Sequence, residues 1–150
     1  QELDAHLDAY TQELLAYSRQ HEACQRLQTI PGFGPIVASV FHSAVGNGQG
    51  YARGRDVAAS LGLVPKQHSS GGKDTLLGIS KRGDRYLRSL LVHGARAVVS
   101  RATGKDDRLS RWVNKVRAQR GINKATVALA NKMARIGWAV LANNSVYRNF

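Results

Sequence analysis

The residues best equipped for chemistry lie between Val64 and Arg88, in the stretch VPKQHSSGGKDTLLGISKRGDRYLR. Ser69 and Ser70 stand beside Gly71 and Gly72, with His68 just before them and Lys66 two residues earlier. Lys73, Lys81, Arg82, Arg85 and Arg88 follow. A serine hydroxyl can attack a phosphodiester and leave a covalent phosphoserine link. Neighbouring glycines let a strand approach closely. Lys81, Arg82 and Arg88 could offset the charge that develops on phosphorus and the leaving oxygen, and His68 could move the proton. A Ser-Ser-Gly-Gly run is equally a flexible basic loop, and the residues alone leave both readings open.

Other chemistries fit less well. Metal-dependent phosphoryl transfer needs clustered carboxylates. Of the 10 acidic residues, Glu2, Asp4, Asp8, Glu13 and Glu22 sit at the start of the chain, and no DxD or DxE pair occurs in the basic part. Asp106 and Asp107 read as a helix start. His6, His21, His42, His68 and His93 are scattered, and the lone Cys24 excludes a cysteine-based zinc site and an internal disulfide. The glycines of Gly46 to Gly50 are not followed by Lys-Ser or Lys-Thr, so a phosphate-binding nucleotide loop is excluded.

A mainly α fold has to position the serine stretch. Residues 1–26 predict one helix whose Leu3, Leu7, Tyr10, Leu14, Tyr17, His21 and Cys24 alternate spacings of four and three. That is a coiled-coil seam of about three heptads, or else an amphipathic helix on its own core. Residues 27–142 follow as a helical bundle, with 143–150 as a frayed tail. Pro31-Gly32 and Gly34-Pro35 mark a turn between two helices, the pattern of a helix-hairpin-helix. In that pattern Gly32 and Gly34 turn backbone N–H groups toward a phosphate; in a plain αα-corner they only permit close packing. A buried helix over 35–45 and a short one over 55–61 come next. Lys66–Ser70 and Thr75–Ser80 could pair as a short β-hairpin, or form a loop, carrying the serines. A helix over 84–103 opens near Asp84 and buries Leu87, Leu90, Leu91, Ala95 and Val98, with Arg85, Arg88 and Arg96 off that stripe. A helix over 107–119 turns Trp112 inward and spreads Arg108, Arg111 and Lys115 around its outside. The last, over 123–142, is largely buried, with Val127 inward and Lys124, Lys132 and Arg135 exposed.

The net charge of +12 favours a polyanionic partner. Between Val64 and the end the acids are only Asp74, Asp84, Asp106 and Asp107, whereas an ordinary solvated face mixes signs. Nucleic acid is the first candidate. The contacts expected are Gly32, Gly34, Lys66, His68, Lys73, Lys81, Arg82, Arg85, Arg96, Arg111 and Lys115. No stretch approaches the ~20 apolar residues of a membrane span, and a single cysteine suits a reducing compartment.

Ile30-Pro-Gly-Phe-Gly-Pro35, Leu61-Gly-Leu-Val-Pro65, Ser69-Ser-Gly71, Ile79-Ser-Lys-Arg-Gly83 and Tyr86-Leu-Arg88 fall in the order and spacing of one family. Together they resemble the C-terminal domain of the Piv-like insertion-sequence transposases, also called DEDD transposases or bridge-RNA-guided recombinases. The resemblance implies Ser70 as nucleophile, with Ser69 in reserve. It implies a RuvC-like domain elsewhere that holds magnesium on an Asp-Glu-Asp-Asp cluster, with no cofactor in this chain. It also implies a structured guide RNA, a DNA substrate, a dimer or tetramer joined through the coiled coil, and a cytoplasmic, nucleoid-associated prokaryotic setting. Half an enzyme is therefore expected. The alternatives are a non-catalytic helix-hairpin-helix module that binds nucleic acid, and a basic protein of the membrane surface.

Overall fold

A computed structural model describes residues 2–64 and 82–148, with Glu2–Asp4 and Arg82–Asp84 described as backbone only. Among the described residues the chain is helical, as expected, and contains no strand. The helices are α1 (Glu2–Gln20), α2 (Glu22–Leu27), α3 (Pro35–Val45), α4 (Gly54–Ser60), α5 (Arg82–Arg101), α6 (Arg108–Arg120) and α7 (Ile122–Ala142). The proposed β-hairpin or loop carrying the serines lies outside the described residues.

α7 is the axis of the bundle and packs most extensively against α5, α4 and α6. Its small residues make this possible. Ala125, Ala130, Ala134 and Gly137 are buried among Leu129, Met133, Val140 and Leu141, so neighbouring helices can approach closely. At Gly137 a Cβ would stand 2.7 Å from Phe41 Cζ. Its absence lets Phe41 lie on α7, edge-on to Phe33 at a centroid distance of 5.4 Å. Phe41, Leu27, Leu87, Leu91, Leu129 and Met133 are all fully buried, each contributing about 1.5–3 kcal/mol relative to exposure.

The first helix is not continuous. His21 adopts an extended backbone (φ −118, ψ 115) and separates α1 from α2. Its Nδ1 lies 2.9 Å from the Tyr17 carbonyl, and its ring stacks on Tyr17 at 3.9 Å. The side chain thus takes a place in the helical hydrogen-bond pattern, which an uninterrupted heptad spacing does not reveal. Past this joint the seam enters the core, with Cys24 and Leu27 fully buried. Ser39 Oγ, 2.7 Å from the Leu14 carbonyl, ties α1 to α3. Leu7 and Tyr10, further out on the seam, are exposed, and Tyr10 meets Tyr86 of α5 at 6.4 Å.

Four further expectations need correction. α5 runs from Arg82 to Arg101, two residues earlier at both ends than the expected 84–103. Val127 faces solvent, because the inward stripe of α7 runs through Ala125, Thr126, Leu129 and Ala130. Lys132 is half-buried over Trp112 rather than free at the surface. The tail is not frayed as far as it is described: Tyr147 is half-buried and its N–H donates to Thr29 Oγ1 at 2.9 Å.

Candidate nucleic-acid interface

α5 sorts its residues by helical periodicity. Leu87, Leu91, Ala95 and Val99 repeat every four residues and are buried. Arg85, Arg88, Ser89, Val92, His93 and Arg96 follow spacings of three and one on another face, where they line an open groove of about 530 Å³. All three arginines are exposed. Arg96 is anchored where α7 begins, its Nη1 donating to Asn123 Oδ1 at 3.3 Å. The ion pairs seen among the described residues join Arg26 to Glu22, Arg53 to Asp56 and Arg111 to Asp106, and none uses an α5 arginine. Among the described residues no ion pair competes with an external anion for the charge of these arginines.

The chain leaves for the serine stretch from a fixed point beside this groove. After α4, Gly62 takes a left-handed conformation (φ +70), which turns the chain so that Leu61 and Leu63 are both buried. Asn131 Nδ2 of α7 donates to the Leu63 carbonyl at 2.9 Å, and Arg135 Nε holds Asn131 Oδ1 at 2.8 Å. Across from them, Arg88 Nη1 lies 3.9 Å from where a Cβ on Gly62 would stand. The chain returns as α5 at Arg82, six residues or about 9 Å of helix from Arg88. Departure and return thus share one end of the α5 groove. Ser69, Ser70, Lys66, His68, Lys73 and Lys81 lie outside the described residues, as does the side chain of Arg82.

The other expected contacts are spread over the bundle. Gly32 is half-buried with φ +91, and a Cβ there would strike Met133 Cε at 2.6 Å. The left-handed φ and the close approach of Met133 both favour glycine here. Gly34 is exposed with open space around it and precedes Pro35 at the start of α3. Arg111 and Lys115 are exposed on α6. Arg111 has only a long, solvent-exposed pairing with Asp106, at 3.7 Å, of a kind worth little.

Sequence reasoning missed Asn131, whose role depends on a carbonyl 68 residues away. It placed Lys132 at the surface without its partner: the ammonium stands 4.6 Å over the Trp112 ring. Burial first, then the charges of Arg135 and Arg108, hold Lys132 below the usual lysine value.

Cys24 is an unpromising nucleophile, because burial pushes its thiol up. Among the described residues no group of three or more His, Cys, Asp or Glu could hold a metal. The magnesium implied by the resemblance therefore finds no ligand set there. No helix among them is long and apolar enough to cross a membrane.

Residues 24–111, from the core end of the arm through α5 and into α6, match the model of the transposase IS116/IS110/IS902 family. The chain belongs to this family. Among similar proteins, the IS116/IS110/IS902-type chain is 47% identical over 145 residues to the transposase for insertion sequence element IS1111A of Coxiella burnetii, covering 97% of this chain and 40% of that protein. It is 47% identical over 148 residues to a probable family 20 transposase of Pseudomonas aeruginosa, covering 99% and 44%. A pilin gene-inverting protein of Moraxella bovis is 31% identical over 123 residues, covering 79% and 36%. The chain thus spans less than half the length of these curated relatives.

Proposed function

We propose that this chain is the C-terminal catalytic half of an RNA-guided DNA transposase or recombinase, acting in the bacterial cytoplasm. The observation that carries the reading is the exposed arginine groove of α5, whose arginines make no ion pair among the described residues and one end of which receives both termini of the serine stretch. Family membership and the likeness to a pilin gene-inverting protein support DNA rearrangement as the outcome.

Ser70 Oγ attacks a DNA phosphorus. An Oγ–P bond forms, the P–O bond to one deoxyribose breaks, and that oxygen leaves as a hydroxyl after taking a proton. His68 accepts the serine proton. Lys81, Arg82 and Arg88 offset the charge on the five-coordinate phosphorus. A hydroxyl of a second strand then attacks the phosphoserine, releasing Ser70 and joining the new pair. The two steps conserve the number of phosphodiester bonds and need no external energy source. Arg85, Arg96, Arg111 and Lys115 bind backbone phosphates, which positions nucleic acid without reading its bases. Sequence choice falls to the guide RNA. The metal site belongs to a RuvC-like domain, and protomers join through α1.

The test is covalent trapping in the full-length protein with its RNA and DNA. An adduct should form in the wild type and in Ser69→Ala, and be lost in Ser70→Ala. An adduct that survives Ser70→Ala overturns the assignment.

A further inference from the structure

Lys132 and Arg135 lie one turn apart on α7, and Arg108 lies one turn of α6 from Trp112, over whose ring the Lys132 ammonium stands at 4.6 Å, so both guanidinium charges act on Lys132. Lys132 is half-buried, with its ammonium over Trp112. Among the described residues, Arg135 is tied to the neutral amide of Asn131. Among the described residues, no ion pair joins any of these three cations to a carboxylate. The nearby Asp107 accepts from the Ser110 N–H as the cap of α6. Two guanidinium charges act against the half-buried ammonium, and an anion seated among the three cations relieves that repulsion.

We infer that Arg108, Lys132 and Arg135 form a second phosphate-binding site, which holds a stretch of nucleic-acid backbone separate from the one in the α5 groove. Arg135 lies two residues, and so about 200°, around α7 from Met133, the side chain that meets the Gly32 turn. The site belongs to the α6–α7 pair, whereas the described lining of the groove comes from α5. Nucleic acid is favoured over other polyanions because the site adjoins Asn131, which fixes the chain's departure toward the serine stretch. The inference rests on the proposed binding of nucleic acid.

The test uses the 150-residue chain and a 20-base-pair DNA duplex, reading the salt dependence of affinity and the Trp emission. Because Lys132 covers Trp112, binding at this site changes the emission, and a Trp112→Phe variant assigns the signal. Arg108→Gln combined with Lys132→Met should make the slope of log affinity against log salt shallower by about two and abolish the emission response. Arg85→Gln combined with Arg96→Gln should also make the slope shallower but keep the response. Arg108→Lys combined with Lys132→Arg should keep the slope, which separates lost charge from lost fold. An unchanged slope and response in Arg108→Gln/Lys132→Met, with DNA still bound, overturns this inference alone. A wild-type chain that binds no duplex overturns the nucleic-acid reading as well. Binding through these residues to anionic phospholipid vesicles but not to DNA overturns the choice of partner.

Discussion

The carbonyl oxygen of Gly32 occupies the space in which a side chain on Gly94 would have to begin. The turn before α3 and the middle of α5 therefore meet backbone to backbone, with Met133 of α7 closing the third side. Gly94→Ala must push a backbone atom rather than the end of a flexible side chain. Overpacking of this kind costs about 1–3 kcal/mol or more. Gly32→Ala adds left-handed backbone strain of about 1–2 kcal/mol. Both should lower the urea midpoint clearly, whereas Gly34→Ala, in open space with an ordinary φ of −89, should cost no more than about 1 kcal/mol. Equal midpoints for all three variants would remove this contact from the account of stability.

The junction of α1, α2 and α3 should respond to acid. Tyr17 Oη lies 2.9 Å from His42 Nδ1, and the His21 and His42 rings are 5.2 Å apart. Burial first, then the charges of His21 and Arg26, hold His42 below its ordinary value of 6.5. The folded chain therefore binds this proton less readily than the unfolded chain. The stability linked to His42 is fully present above about pH 6.5 and is lost as pH falls toward the depressed folded value. Urea midpoints should drop between about pH 7.5 and pH 5. His42→Phe should flatten that drop, and an equal drop in the variant would assign the acid sensitivity elsewhere.

Asn131 offers a way to separate stability from activity. Asn131→Ala leaves the buried carbonyl of Leu63 without its donor, a loss of about 1–3 kcal/mol. It also frees Arg135 Nε from its acceptor. If the departure point of the serine stretch matters to the chemistry, the yield of covalent adduct in the full-length protein should fall further than the folded fraction does. Parallel losses would reduce Asn131 to a purely structural role.

Periodicity carried the helices because one apolar stripe per helix is written locally. Leu87, Leu91 and Ala95 needed nothing beyond their spacing, whereas Leu90 and Val98 are only half-buried and Val99 takes the inward place. Where the physics was non-local, spacing misled. His21 breaks the first helix by bonding and stacking on Tyr17. Val127 looks like core, yet small Ala125 and Ala130 take the inward places on α7. The arginine face of α5 was legible, since charge and a period of 3.6 suffice to place it. Asn131 was not, because the backbone acceptor of an amide leaves no trace in sequence. The pairing of Lys132 with Trp112 was equally hidden, since it requires knowing which faces of α6 and α7 meet.

Arg26 joins parts of the chain that are made far apart in time. Its carboxylate partner, Glu22, is four residues away, but its Nη1 also donates to the carbonyls of Val140 at 2.7 Å and Ser145 at 3.1 Å. During synthesis α2 and the turn that follows it leave the ribosome long before those carbonyls exist. Until then the guanidinium has only Glu22 and water, and the turn lacks the floor that Met133 supplies. The arm and its turn therefore reach their final packing only after the C-terminal helix of the bundle has been translated, and a stalled or shortened product would present this region unfinished.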